Sequence, residues 1–372
     1  MKPLRVAVVG VGHLGRHHAR ILRSLPGADL VAVADSRPEQ ARAVAEGLGV
    51  PAVHDYRELI GRVDAVSVAV PTFLHREVAG AFLAEGISAM VEKPLAGSSA
   101  QAEELVALAR STGATLQVGH IERFNPAYDA LQGAPIRPKF LSAERLAMYT
   151  FRSTDVGVVF DLMIHDLDLV LSLVDSPVRS VSAVGVSLFG DHEDVADARI
   201  EFENGTVANL TASRASYATS RKMRIWGTEG YASLDFGAKQ ATVVRPSDEF
   251  LAGGVDLEGV DLAQPAAIKD HLFGKVLRVD RVEPPACDQL TLELQDFVDS
   301  IREGRRPRVT GEDALDAVRL AEQIVRSLDA HRWEGEAPAV AASPHAAPAS
   351  PLRGPHAWRS GRVDRRSRSA TG

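Results

Sequence analysis

Cysteine is almost absent. Cys287 is the one thiol in 372 residues, so no internal disulfide can form, and the chain suits a reducing compartment. Long apolar runs are missing as well: no stretch reaches the roughly 18 residues of a spanning helix, and the N-terminus reads as entering a strand at once rather than a signal peptide. Positive charge is in deficit, with 42 Lys+Arg against 49 Asp+Glu and a formal net charge of -7. That balance argues against a general binder of nucleic acid or of membranes. No internal repeat is evident. The expectation is a cytoplasmic protein whose length, with 45% hydrophobic content, suggests two domains with ample core.

What is present is organised around Val91-Glu92-Lys93-Pro94. The apolar run from Ile87 to Val91 reads as a buried parallel strand, and Pro94 cannot extend a sheet ladder. In open α/β sheets ligands sit beyond the carboxyl ends of the strands, so Glu92 and Lys93 are expected to point into a binding crevice. Alone, Glu-Lys-Pro would read as a surface salt bridge in a turn. The surrounding chain gives it another meaning.

Leu4 to Val9 reads as a strand, followed by Gly10-Val11-Gly12-His13-Leu14-Gly15 and a helix to about Leu25. This is G-x-G-x-x-G between strand and helix, a turn that lets backbone approach a pyrophosphate at a helix N-terminus. A second strand, Leu30 to Ala34, ends in Asp35-Ser36-Arg37. An acid there accepts hydrogen bonds from the ribose of NAD and would repel a 2′-phosphate, while Arg37 could hold one, so NADP stays possible.

The alternation continues with a helix over Pro38 to Leu48, a strand over Ala65 to Val70 and a helix over Arg76 to Glu85. After the Ile87 strand come a helix from Ser99 to Ser111 and a strand from Thr115 to Val118. The pattern is a doubly wound parallel sheet of about six strands. Pro71, Thr72 and His75 lie over its crevice, although His75 alone could merely start a helix. Gly119-His120-Ile121-Glu122-Arg123 closes the last strand and marks a domain boundary.

The second half differs. Strands are expected at Phe140 to Met148, Val181 to Leu188, Ala196 to Glu203, Thr206 to Ser213, Lys222 to Trp226 and Ala232 to Phe236, giving a large, mostly antiparallel sheet. Glu203-Asn204-Gly205-Thr206 is a strong hairpin turn. A helix from Val158 to Val174 packs on that sheet and places Asp161 and His165 on one face, four residues apart. Pro246 to Ala267 reads as loop, and Gln289 to Arg302 and Glu312 to Leu328 as terminal helices. The expected units are a dinucleotide-binding domain over 1–122, a substrate and oligomerisation domain over 123–334, and a disordered tail rich in Ala, Pro and Arg over 335–372.

Together Gly10-x-Gly12-x-x-Gly15, Asp35, Pro71-Thr72-x-x-His75, Glu92-Lys93-Pro94 and Asp161-Leu162-Met163-Ile164-His165 resemble the Gfo/Idh/MocA oxidoreductases over about residues 4 to 330. The resemblance implies a Rossmann domain, a nicotinamide cofactor, Lys93 and His165 as the catalytic pair, and Asp161 beside His165. One departure is plain: relatives often carry two or three glycines ahead of the Asp-x-x-x-His element, and here Gly157 is single. Val118 to Pro126, Asp155 to Gly157 and Asp161 to Asp168 resemble the branch that oxidises C3 of UDP-linked N-acetylglucosamine. That branch feeds a pyridoxal-phosphate aminotransferase that makes the 3-amino sugar of variant lipid A. A diphosphate calls for cations, and His120 with Arg123, Arg145, Arg152, Arg214 and Arg221 are candidates for the substrate side. Most of these arginines could equally be surface charges. Another sugar, an inositol or a uronate remains open as substrate, as does a non-catalytic dinucleotide-binding regulator. An uncovered sheet face makes a homo-oligomer the expectation.

Overall fold

The computed structural model describes residues 2–134, 136–150, 156–254, 263–282 and 288–331. Arg152, Cys287 and the 335–372 tail lie outside them.

The first sheet has the order β3-β2-β1-β4-β5-β6, with every pairing parallel. Its strands are β1 Leu4–Val9, β2 Ala28–Ala34, β3 Ala52–Val53, β4 Ala65–Val68, β5 Ser88–Glu92 and β6 Leu116–Gly119. The β1, β4 and β5 runs are mostly apolar, and β4 and β5 are buried along their whole length, because helices cover both faces. One face receives α1 (Gly15–Leu22) and α2 (Pro38–Leu48); the other receives α3 (His75–Ala84) and α4 (Ser99–Thr112). The two-residue β3 was not foreseen, being too short to show a period.

After the short α5 (Pro126–Asp129), the second sheet begins, with the order β14-β13-β12-β11-β7-β10-β9-β8. Its strands are β7 Phe140–Leu146, β8 Val178–Val186, β9 Val195–Phe202, β10 Val207–Ser213, β11 Ser220–Gly227, β12 Gly230–Asp235, β13 Gln240–Pro246 and β14 Leu277–Val282. All neighbours are antiparallel except β7 and β10. Alternation sets the two faces. In β9, Ala196, Ala198, Ile200 and Phe202 are buried while Asp197 and Arg199 face outward. The inner face packs on α6 (Ile164–Leu173), which follows a π-helical turn at Val159–Met163. The expected hairpin is present, with Gly205 at φ 82° between β9 and β10.

In the second sheet, β13 and β14 escaped the sequence reading. β14 is an edge strand that alternates Arg278, Asp280 and Val279, and its charges pair laterally, Arg245 to Asp280 at 2.6 Å and Arg278 to Asp280 at 2.8 Å. Charge on an edge guards against further pairing, and it hides the strand from a hydrophobic pattern. The stretch read as loop holds α7 (Asp248–Gly253) and the start of α8 (Pro265–His271).

The last two helices join the halves. On α9 (Gln289–Glu303), Leu294, Phe297 and Val298 are fully buried against Val6, Val8 and Leu30 of the first sheet. On α10 (Gly311–Ala330), Ala314 and Leu315 join the first sheet's core, whereas Leu320, Ala321 and Ile324 join the second's. Thr310 and Asp313 cap α10 reciprocally, each side chain accepting the other's backbone N–H at the buried start of the helix. One continuous helix thus fixes the crevice between the sheets. No helix among the described residues is long and apolar enough to cross a membrane.

Candidate active site

The site begins at the carboxyl ends of β1 and β2. Gly10 has φ 84°, and a Cβ on it would meet the Ala69 carbonyl oxygen at 2.7 Å; a Cβ on Gly15 would meet the Gly10 oxygen at 1.8 Å. Both are therefore closed to side chains. At Gly12 a Cβ would find only Gln40 Nε2 at 3.9 Å, so the middle of the turn is open to an approaching ligand. His13 and Leu14 are exposed beside it. The Asp35 carboxylate accepts the Val11 N–H at 3.0 Å and the Arg37 N–H at 2.9 Å, tying the Gly-rich turn to the end of β2. Ser36 is exposed, and the Arg37 guanidinium, 68% exposed, lies 3.5 Å from Asp35. Each carboxylate oxygen keeps a lone pair for a ribose hydroxyl. These residues fit a dinucleotide.

At the ends of β4 and β5 the expectations divide. Pro71 and Thr72 are accessible, but His75 is buried, with its ring nitrogens 2.8 Å from Pro94 O and 2.9 Å from Val70 O. Burial lowers its pKa, so the ring is neutral and donates to one of the two. It pins the β4 and β5 turns together. Glu92 does not point into the crevice as expected. It turns inward, 3.0 Å from His18 Nε2, and His18 Nδ1 in turn meets Ser67 Oγ at 2.8 Å. Burial opposes its ionisation, yet the bond to His18, with the charges of His18 and Lys93, keeps it below the usual carboxylate range. Lys93 does face the crevice, where Nζ donates to the Asp161 carbonyl at 2.6 Å and lies 3.3 Å from its Oδ1.

Asp161 therefore pairs with Lys93, and no ion pair joins it to His165 among the described residues. It lies on a π-helical turn ahead of α6, the helix that carries His165. The single glycine ahead of this turn lies against Glu193: a Cβ on Gly157 would land 2.0 Å from Glu193 Oε1, and that carboxylate accepts the Val159 N–H at 3.1 Å. A side chain at 157 would displace the Glu193 carboxylate from the helix start that it caps.

His165 is partly buried, and its Nδ1 has no hydrogen-bond partner among the described residues. Burial, then the charges of Lys93 and Arg145, press its pKa well below the ordinary histidine value, so it is a neutral base at pH 7. His120, expected on the substrate side, stands edge-on to it with ring centroids 6.1 Å apart. Burial, then Arg123 and Lys93, drives His120 down to about 3.

The expected substrate arginines are largely occupied. Arg123 Nε lies 3.1 Å from Asp168 and its Nη1 donates to the Tyr128 hydroxyl at 3.2 Å. Burial pushes the Asp168 carboxyl up to about 7 even beside that guanidinium. Arg214 donates to Asp194 at 2.7 Å and to the Val156 carbonyl at 2.8 Å, and so braces the loop before the π turn. Arg145 is clamped in the interior, bidentate to Asp166 at 2.9 and 2.8 Å and to Glu122 at 2.8 Å. Glu122, Asp166, His18 and Glu193 were not picked out as partners from the sequence. For Glu122, Asp166 and His18 the available signal was their place in or beside the quoted motifs; Glu193 lies 25 residues beyond Asp168 and had none.

A dinucleotide-binding sheet edge, facing an ammonium and a neutral imidazole, defines an NAD-dependent oxidoreductase. The chain belongs to the Gfo/Idh/MocA family: residues 4–120 match the oxidoreductase family, NAD-binding Rossmann fold, and residues 132–233 match the GFO/IDH/MocA C-terminal domain. It is 38% identical over 288 residues to the UDP-N-acetylglucosamine 3-dehydrogenase of Acidithiobacillus ferrooxidans, covering 77% of this chain and 91% of that one. It is 30% identical to the scyllo-inositol 2-dehydrogenase (NAD(+)) of Bacillus subtilis, covering 84% and 90%. A solved structure of the Acidithiobacillus enzyme superimposes with a TM-score of 0.77 at 34% identity, over 89% of this chain and 99% of that one. The relatives act on hydroxyl-bearing carbons of sugars and inositols, and this chain is an enzyme of that kind.

Proposed function

We propose that the protein oxidises the C3 hydroxyl of UDP-N-acetylglucosamine to the ketone, with NAD as acceptor. The observation that carries the chemistry is His165, held neutral beside the Lys93 charge at the cofactor-binding edge. In this reading the His165 imidazole takes the hydroxyl proton, and Lys93 stabilises the oxygen as negative charge develops on it. Asp161 keeps Lys93 extended into the crevice. Bound NAD supplies a hydride acceptor, so the alcohol loses one hydride and one proton in all. The substrate follows from the 38% identity to the Acidithiobacillus enzyme, which extends over 91% of that protein. Inositol is the second reading, favoured by the 30% identity to the Bacillus enzyme.

The ketone product is the substrate class of a pyridoxal-phosphate aminotransferase, and coupling to one would draw an unfavourable oxidation forward. The test is incubation with NAD, an aminotransferase and amino donor, and UDP-N-acetylglucosamine, with NMR of the product. An amine at C3 supports the reading. Oxidation at C6, or turnover of inositol alone, would remove it.

Self-association over the second sheet is part of the same proposal. Its outer face carries an apolar row, Val207, Phe140, Trp226, Tyr231 and Val244, adjacent in register. Phe140 and Trp226 stack at 5.1 Å, and Trp226 and Tyr231 lie 5.3 Å apart. Such a row favours burial against a second copy. Light scattering of Trp226→Lys should show a smaller species than the wild type; a monomeric wild type would end the idea. A cytoplasmic location fits the near absence of cysteine.

A further inference from the structure

Among the described residues, most of the cations first suspected at the crevice are committed. Arg123, Arg145 and Arg214 are held by Asp168, by Asp166 and Glu122, and by Asp194. Lys93 is committed to Asp161.

Arg221 is placed differently. It stands opposite Arg145 in the β11–β7 register, and the same register pairs Met223 with Ala143 and Ile225 with Leu141. Those four apolar side chains are buried, so the row belongs to the inner face that packs on the helices. Arg221 belongs to that row by alternation, yet it is exposed. The cover over the inner face therefore ends at Arg221, where the sheet opens to solvent. Its backbone is fixed, with the Arg221 carbonyl accepting the Phe236 N–H at 2.9 Å. Its guanidinium has no hydrogen bond or ion pair among the described residues. Its charge nonetheless reaches the site, where it lowers the pKa values of both His165 and Asp166.

We propose that the Arg221 guanidinium binds the diphosphate of a nucleotide-linked substrate at the open end of the inner sheet face, beside the clamped Arg145 and within electrostatic reach of His165. This rests on the nucleotide-sugar reading above and assigns the residue that would recognise the handle. A planar guanidinium offers a fork of donors to phosphate oxygens. Placed away from the reacting carbon, it would orient the sugar without touching the hydroxyl that is oxidised.

The test uses UDP itself as the probe, titrated calorimetrically into the NAD-loaded full chain. Wild type, Arg221→Ala, Arg221→Lys and Arg221→Glu are compared, with NAD affinity and melting temperature measured in each. Loss of a charge-assisted contact should raise the Kd for UDP roughly 10- to 100-fold in Arg221→Ala. Arg221→Lys should fall between, Arg221→Glu should be weakest, and NAD affinity should hold. In turnover, KM for the UDP-sugar should rise more than kcat falls. UDP affinity within about twofold of wild type in both Ala and Glu variants would overturn the assignment. So would a fall in melting temperature with UDP affinity intact, since that is the signature of a residue that only balances Asp166 and Glu122. The two proposals fail separately. A wild type that oxidises only inositol, yet binds UDP through Arg221, keeps the anion site and loses the substrate. A wild type that binds no UDP loses both.

Discussion

The two halves of the crevice use charge in opposite ways. On the nucleotide side, polar groups are held by backbone N–H groups and left partly free: Asp35 is fixed by the Val11 and Arg37 N–H groups, and Arg37 stays in solvent. On the substrate side, the buried charges are held by opposite charges and consumed, as Arg145 is between Glu122 and Asp166. Burial is the cause. A charge under a packed sheet must be paired, whereas a charge at a strand's carboxyl end can wait for a ligand. Residue type therefore signals ligand binding in the first half and architecture in the second.

The sharpest break in this comparison should come from Lys93, which sits where the halves meet. Lys93→Met removes the ammonium that faces both Asp161 and the reacting oxygen. Turnover should fall by about 10²–10³ or more, as when an oxyanion donor is lost. NAD affinity should stay within a fewfold, because Gly10, Gly12 and Asp35 hold the dinucleotide on the other side. His165→Ala should match the loss in kcat. Stopped-flow turnover beside fluorescence titration of NADH separates the effects. Near-native turnover in both variants would take them out of the mechanism.

Arg145 tests the substrate half as architecture. Arg145→Met leaves Glu122 and Asp166 buried without their cation, and breaking such a pair costs about 3–5 kcal/mol. Burial already holds the Asp166 carboxyl up, and without Arg145 its folded pKa should rise further. A folded pKa above the unfolded one gives stability that is full below the unfolded value and lost as pH rises through the folded value. The variant's deficit should therefore be small near pH 4 and grow towards pH 8, measured by urea unfolding across that range. A deficit independent of pH would point to lost packing instead.

Much of the fold was legible because its signals are local. The G-x-G-x-x-G turn, the alternation in β9 and the hairpin at Gly205 each fit within a short window, and all three appear as read. β14 failed because an edge strand carries charges where a pattern needs apolar residues. The π turn escaped because a helical period drawn through Val158 to Val174 assumes α spacing throughout. Arg145 lies 21 residues from Asp166 and 23 from Glu122, on different elements. No spacing rule links them; only the packed sheet does. We propose that the functional division still falls near residue 122, with α9 returning to the first sheet after the second is complete.

The smallest effect should come from Asp35, where the nucleotide half is most open. Asp35→Ser removes the carboxylate that a ribose hydroxyl would use and that a 2′-phosphate would meet. It also frees Arg37, now 3.5 Å from that carboxylate, to turn towards a phosphate. The Val11 and Arg37 N–H groups lose their acceptor, but a serine hydroxyl can take up one of them, and Arg37 lies at the surface. Fold and melting temperature should thus change little, in contrast to Arg145→Met. The ratio of kcat/KM for NAD to that for NADP should fall by roughly 10- to 100-fold, the value of one or two charge-assisted contacts. Adding Arg37→Ala should return part of that change by removing the cation that would hold the phosphate. If the native enzyme already used NADP as well as NAD, Asp35 would be a loop tie like Asp194, and the contrast between the two halves of the crevice would disappear at that position.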